Sequence, residues 1–366
     1  MLPRADNGRA CSIGRCRVGV SPLAVHHFKG MPRGVRSRYR GSCLFFVRSL
    51  DNRESRATIG RQGRRRRFAL LLVTLGGLGI AFTGSLVAQA QVNVTTQQYD
   101  IGRTGQNLNE TILNLTNVQP ATFGKLFTQS VDGFVYAQPL YLSNVTINGT
   151  AHNVVFVATQ HDSVYAFDAD SRSGSNSSPL WTASMLSPTH GAAAGATTVP
   201  WPAGSDIIPE VGITGTPVID PVSGTFYVVS KSVEGSATVQ RLHALDVTTG
   251  AEKFGGPVAI AAGVPGTGLD AVGGIVRFNA AQENQRPGLL LLNGIVYIGW
   301  TAHEDIAPWH GWIIGYSAPT LSETGAFCSS PNAYGSGIWM SGNGLAADLF
   351  KRSITPTTGT WVRAAS

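Results

Sequence analysis

Two short stretches carry the residue types that could do chemistry. Thr159-Gln160-His161-Asp162 follows the apolar run Val154 to Ala158, and Thr301-Ala302-His303-Glu304-Asp305 follows Ile295 to Gly299. An imidazole beside a carboxylate is a ligand pair for a divalent cation or an acid–base pair. His161, Asp162, His303, Glu304 and Asp305 are therefore the candidate metal ligands. The competing reading is a hairpin tip whose His and Asp satisfy nearby backbone groups. Other chemistries lack their signatures. His303-Glu304 has Ala at 307, where a zinc-protease helix needs its second His. The glycines at 263–268 and 273–274 are not followed by Gly-Lys-Ser/Thr, so they make no phosphate loop. Asp168-Ala169-Asp170 with Gly174 has Pro179 where a calcium loop closes with Glu, and no Gly-x-Ser-x-Gly elbow is present.

The two stretches share a face only if their apolar runs are equivalent strands of a repeated unit. The clearest copy of that unit is Arg241 to Phe254, RLHALDVTTGAEKF. Leu242, Ala244 and Val247 carry a strand pattern, Asp246 can accept from backbone N–H groups two residues on, and Thr249-Gly250 permits positive φ. Phe254 is expected to restart an apolar strand. Val164 to Asp168 repeats the strand and its Asp, with Trp181 in the aromatic place; Trp312 to Ser317 repeats it with Ser for Asp. Each copy has an earlier apolar run (Val154 to Ala158, Phe226 to Ser230, Ile295 to Gly299) and, before that, a proline: Pro139, Pro217, Pro287. The prolines are 78 residues apart (217 − 139) and then 70 (287 − 217). That exceeds a bare propeller blade of about 40–50 residues and requires long loops.

The pattern A-x-D-x-x-T-G-x-x-x-aromatic resembles the PQQ-like repeat of quinoprotein-type β-propellers, with Phe254 where that repeat usually has Trp. Gly133 to Leu140, Val154 to Asp170, His303 to Leu321 and Gly337 to Gly342 are likewise similar to exported bacterial proteins with such propellers. The resemblance implies an all-β fold, an incomplete β-propeller of four-stranded antiparallel blades near 134–185, 213–260 and 286–327. It also implies two functions. One is a platform binding a small molecule or protein partner, as in the outer-membrane assembly lipoprotein with the same repeat. The other is a dehydrogenase of alcohols or sugars using pyrroloquinoline quinone and Ca²⁺. In that group the quinone stacks between a Trp and an adjacent-cysteine disulfide, and calcium is held by acidic and amide side chains. This chain has no adjacent cysteines, which favours the platform.

Charge divides the chain. Residues 1–67 hold 17 of the 28 Lys+Arg and only Asp6, Asp51 and Glu54, a net +14. The other 299 residues hold 11 basic and 18 acidic groups, a net −7, so the basic total does not signal nucleic acid. Arg64 to Arg67, the apolar run from Phe68 to about Val87 and Ala88-Gln89-Ala90 are the three parts of a secretory signal. Arg65-Arg66-Arg67-Phe68 also resembles the twin-arginine export signal. The expected layout is a disordered basic leader over 1–60 (the true start lying near 60), a signal peptide over 61–90 with cleavage before Gln91, a propeller over 91–348, and an irregular tail over 349–366. This places the protein in the periplasm or outside the cell, meeting the membrane only through its signal. Cys11, Cys16 and Cys43 fall in the leader, leaving Cys328 without a partner. Phe123 to Phe127 is expected to close the last blade, and Gly337 to Asp348 to begin a fourth. The tail's loss of pattern suggests a frameshift or truncation. So short an arc is expected to expose the apolar faces of its first and third blades.

Overall fold

The computed structural model describes residues 41–45, 92–200, 207–348, 353–355 and 362–363. The expected signal peptide and most of the expected leader lie outside these residues. The first pairing is antiparallel, between β1 (Gly41–Phe45) and β2 (Phe127–Val131). Blade one is the sheet β3 (Leu140–Ile147), β4 (Thr150–Ala158), β5 (Ser163–Asp168) and β6 (Trp181–Ser184), in that order. Two short strands follow, β7 (Thr197–Pro200) and β8 (Glu210–Val211). Blade two is β9 (Val218–Asp220), β10 (Thr225–Glu234), β11 (Ala237–Asp246) and β12 (Val258–Ala259), with β7 joining the far half of β10. A ribbon of β13 (Gly263–Pro265) and β14 (Ile275–Arg277) leads to β15 (Glu283–Asn284). Blade three is β16 (Leu290–Leu292), β17 (Ile295–Ala302), β18 (Trp312–Ser317) and β19 (Glu323–Cys328). A three-stranded sheet, β20 (Ala346–Asp348), β21 (Ser353–Thr355) and β22 (Val362–Arg363), comes last.

Every pairing between these strands is antiparallel, and the expected second strands lie within β4, β10 and β17. The local chemistry explains the turns. Asn148-Gly149 between β3 and β4, and Asn293-Gly294 between β16 and β17, have positive φ at both residues (50° and 79°; 51° and 73°). That is the two-residue turn whose twist matches paired strands. Pro139 and Pro217 stand directly before β3 and β9, and Pro287 three residues before β16. The starts of these first strands meet one another. The amide of Gln138 donates to Thr216 Oγ1 at 2.9 Å and that of Leu289 to the Thr216 carbonyl at 2.8 Å. First strands are thus innermost.

The second strands read as continuous apolar runs because both faces of each blade are covered. Phe156 of blade one packs with Phe226 and Val228 of blade two. Tyr227 and Val229, on the opposite face of β10, pack with Val296, Ile298 and Trp300 of blade three. Blades stacked face to face in chain order, inner strand first, are the architecture of a β-propeller.

Four expectations need correction. Phe127–Val131 pairs with residues 41–45, within the expected leader, rather than with a last blade. Phe127 and Val131 instead pack on Val155, Val157 and Phe167 and cover the outer face of blade one. Ile338, Met340, Leu345 and Ile354 cover Leu290, Leu292, Tyr297 and Ile313 on the outer face of blade three, so neither terminal face is bare. β21 and β22 fall in the stretch expected to be irregular. Finally, Phe254 starts no strand. Glu252 bridges Leu245, then Phe254 and Gly255 turn at positive φ (56° and 72°), and the outer strand begins only after Pro257.

Candidate functional site

His161-Asp162 and His303 to Asp305 occupy equivalent loops, β4 to β5 and β17 to β18, and the middle blade joins them through one residue. Lys231 of β10 is 3% exposed. Its backbone N–H donates to Asp162 Oδ1 at 3.4 Å, and its ammonium donates to His303 Nε2 at 2.8 Å. The ammonium's other two protons go to the carbonyls of Ala281 (3.1 Å) and Glu283 (3.0 Å). Both loops therefore lie on one side of the blades.

The five candidate ligands do not converge. His161, half-exposed, donates from Nδ1 to Glu210 Oε1 at 2.8 Å. Asp162 is fully buried in the left-handed region (φ 55°), where Gly212 leaves it room: a Cβ there would stand 2.7 Å from Asp162 Oδ1. Burial holds its carboxyl well above the usual range, against the backbone N–H groups of Lys231 and Ile213. His303 turns Nε2 to an ammonium, which opposes a cation at that atom. Glu304 and Asp305 are exposed and line an open cleft.

Sequence reasoning missed the polar groups behind these loops. Glu283, 1% exposed, accepts the His310 N–H at 3.1 Å, and His310 Nε2 meets Asp270 Oδ1 at 3.0 Å. Burial lowers Lys231 to about 7, against the pull of Glu283, and raises Glu283 to about 8. Burial and then the Lys231 charge push His303 down to about 3. These groups come from loops and strands 27 to 72 residues apart, so no local spacing betrays them. The only hint is Lys231 itself, a lysine at the end of an apolar strand.

His303 gives a pH prediction. Its folded value near 3 lies below the value of about 6.5 for an unfolded histidine, so the unfolded chain binds the additional proton between these limits. Stability from this group is complete above about 6.5 and is lost as pH falls toward 3. Glu283 acts oppositely: raised to about 8, it contributes stability below its unfolded value near 4.3 that fades as pH rises through 8. His303→Gln should therefore remove up to about 2 kcal/mol of the stability loss between pH 7 and 5. Urea titrations at the two pH values check this; an unchanged difference would mean His303 is free to protonate in the fold.

The cleft has a volume of about 450 Å³ and is lined by Thr301, Glu304, Asp305, Trp309, Gly337 and Trp339. Trp339 is 40% exposed. Gly337 is what lets Trp309 and Thr301 close up on the backbone. A Cβ there would stand 2.0 Å from Thr301 Oγ1 and 2.8 Å from Trp309 Cζ3. Two indole rings and two carboxylates on a solvent-open wall can stack on a flat or polyhydroxylated ligand and hold a cation.

What the sheets and cores define is a β-propeller arc. No protein-family model matches the sequence, and no curated protein matches it. Among solved structures, the quinohemoprotein alcohol dehydrogenase of Pseudomonas putida HK5 is 19% identical with a TM-score of 0.35, over 65% of this chain and 26% of its own. A europium-containing methanol dehydrogenase is 12% identical with a TM-score of 0.33, over 65% and 40%. The quinohemoprotein alcohol dehydrogenase of Comamonas testosteroni is 13% identical with a TM-score of 0.29, over 67% and 42%. The chain thus spans less than half the length of each of these proteins.

Proposed function

We propose that this chain is a PQQ-like propeller that works as a binding platform, taking a small polar ligand, polyhydroxylated or cationic, in the cleft beside the β17–β18 loop. The observation that carries the reading is the pairing of Trp309 and Trp339 with Glu304 and Asp305 around one open cleft. Aromatic faces supply stacking area and attract cations; carboxylates accept hydroxyl and ammonium donors. The export-type segment at 61–90 supports a location for this platform in the periplasm or outside the cell.

Ca²⁺ suits the same wall. Glu304 and Asp305 offer the hard carboxylate oxygens it prefers, with the Thr301 hydroxyl beside them, and the ion would polarise a ligand hydroxyl. Pyrroloquinoline quinone does not suit it. The quinone is a polycarboxylate, and the cleft presents two carboxylates and no Lys or Arg. Cys328 is free and buried, so it forms no disulfide wall for a quinone ring. The dehydrogenase reading therefore needs a different site on the chain.

Tryptophan fluorescence tests the platform. Glucose, tetramethylammonium or Ca²⁺ is expected to change the emission saturably, with the response lost in Trp339→Ala and weakened at least tenfold in Glu304→Gln/Asp305→Asn. A flat response to all three overturns the reading. Dye-linked oxidation of an alcohol after adding the quinone with Ca²⁺ would replace it with the dehydrogenase.

A further inference from the structure

We propose that His190, His243 and Glu252 form a site for one divalent transition metal of the Zn²⁺ kind, clamping the segment that leaves blade one onto the outer half of blade two. The three come from separate pieces of chain. His190 ends the short 3₁₀ turn Pro188–His190 after β6, His243 sits in the middle of β11, and Glu252 bridges Leu245 beyond the turn at Gly250. Their ligand atoms all lie within 4.8 Å of one another. His190 Nδ1 is 2.9 Å and His243 Nδ1 2.7 Å from the same carboxylate oxygen, Glu252 Oε1.

Three observations make this more than a pair of hydrogen bonds. All three side chains are shielded, His243 completely and the others at 10–11% exposure, so the donors are held rather than waving in solvent. Glu252 Oε2 is buried with no hydrogen-bond partner, although a buried carboxylate oxygen left unpaired is costly. A cation bound through one or both oxygens removes that cost. His243 Nε2 faces Ser230 Oγ at 2.8 Å, the outer hydrogen bond that fixes ring orientation and leaves Nδ1 for the metal. The neighbouring guanidinium of Arg241 does not oppose a cation at full strength, because Glu234 holds it in a two-point ion pair.

The donor set selects the metal. Two imidazoles and one carboxylate form a known three-ligand set for Zn²⁺ that leaves a fourth position for water, whereas Ca²⁺ and Mg²⁺ favour oxygen ligands throughout. Zn²⁺ at about 2.0–2.1 Å from each tetrahedral ligand needs those atoms about 3.3 Å apart. The contacts to Oε1 would lengthen by about half an ångström, within reach of χ rotations at His190 and Glu252. On binding, each neutral imidazole takes the tautomer with its proton on Nε2, which frees the Nδ1 lone pair for the metal, an imidazolium releasing one proton to solvent, and the carboxylate keeps its charge.

The full chain, stripped with chelator, dialysed against Zn²⁺ and then against metal-free buffer, is expected to retain one Zn²⁺ per chain. Co²⁺ in its place should give the visible absorption of a four- or five-coordinate ion. His190→Gln and Glu252→Gln should each weaken retention by about tenfold or more. Chelator should lower the melting temperature of the unaltered chain and leave that of either variant unchanged. No retained metal, or retention that survives both substitutions, overturns the site. If Glu252→Gln does not fold, as judged by circular dichroism, His190→Gln decides the question alone.

Discussion

Lys231→Met is expected to destabilise the protein by about 3–5 kcal/mol, the range for removing one partner from a buried charged network. Methionine matches the length of the lysine stem and fills the same space, so little packing is lost. What disappears is the ammonium. Its bonds to Nε2 of His303 and to the carbonyls of Ala281 and Glu283 go with it; the Glu283 carbonyl keeps the Gln240 Nε2–H at 2.7 Å, and each acceptor that neither water nor another donor reaches costs about 1–3 kcal/mol. The Glu283 carboxyl also loses the pull of the Lys231 charge. Its folded value near 8 keeps it mostly protonated at pH 7, so that part of the loss is small. Urea denaturation at pH 7 measures the change. Adding His303→Leu should recover part of it, giving a coupling of about 0.5–3 kcal/mol between the two sites. A loss below about 1 kcal/mol, with no coupling, would mean the ammonium escapes to water rather than holding blade two to the loops of blade three.

The blades were legible because their signals are local. Runs such as Val154 to Ala158, the Asp246-to-Gly250 turn and the prolines before inner strands are decided within a few residues. The turn formed as read, with the Thr248 N–H donating to Asp246 Oδ1 at 2.8 Å and Gly250 at φ 74°. The placement of His161 and His303 in equivalent loops follows from the same strands. What surrounds those loops was not legible. Lys231, Glu283 and His310 meet only once blades two and three stack, and His190, His243 and Glu252 have no spacing that marks a ligand set. The covered ends of the arc were missed for a related reason. Phe127, Val131, Ile338 and Leu345 lie in stretches too short and irregular to announce which surface they bury. Phe254 misled in the opposite direction: it stood where the repeat has Trp, yet it is 38% exposed, with Lys253 Nζ 5.4 Å from its ring centre.

The aromatic position that does hold two blades together is Trp181, and its removal is the second large effect expected. Trp181 closes blade one at β6, is 9% exposed, and packs its ring 5.9 Å from that of Phe156. Its Nε1–H crosses to blade two and donates to the carbonyl of Val247 at 3.0 Å. The ring lies flat on Gly250, where a Cβ would stand 2.7 Å from Cε3 and 2.9 Å from Cζ3. Trp181→Ala should cost about 3–5 kcal/mol, as large-to-small changes in a packed core do. Gly250→Ala should cost about 1–3 kcal/mol by overpacking the same contact from the other side, with additional strain from φ 74°. The two losses share one volume: once the indole is gone, the methyl at 250 has space. The double variant should therefore be more stable than the sum of the single losses predicts, by about 0.5–3 kcal/mol. Losses that add within about 0.5 kcal/mol would show that the ring and the glycine do not press on one another.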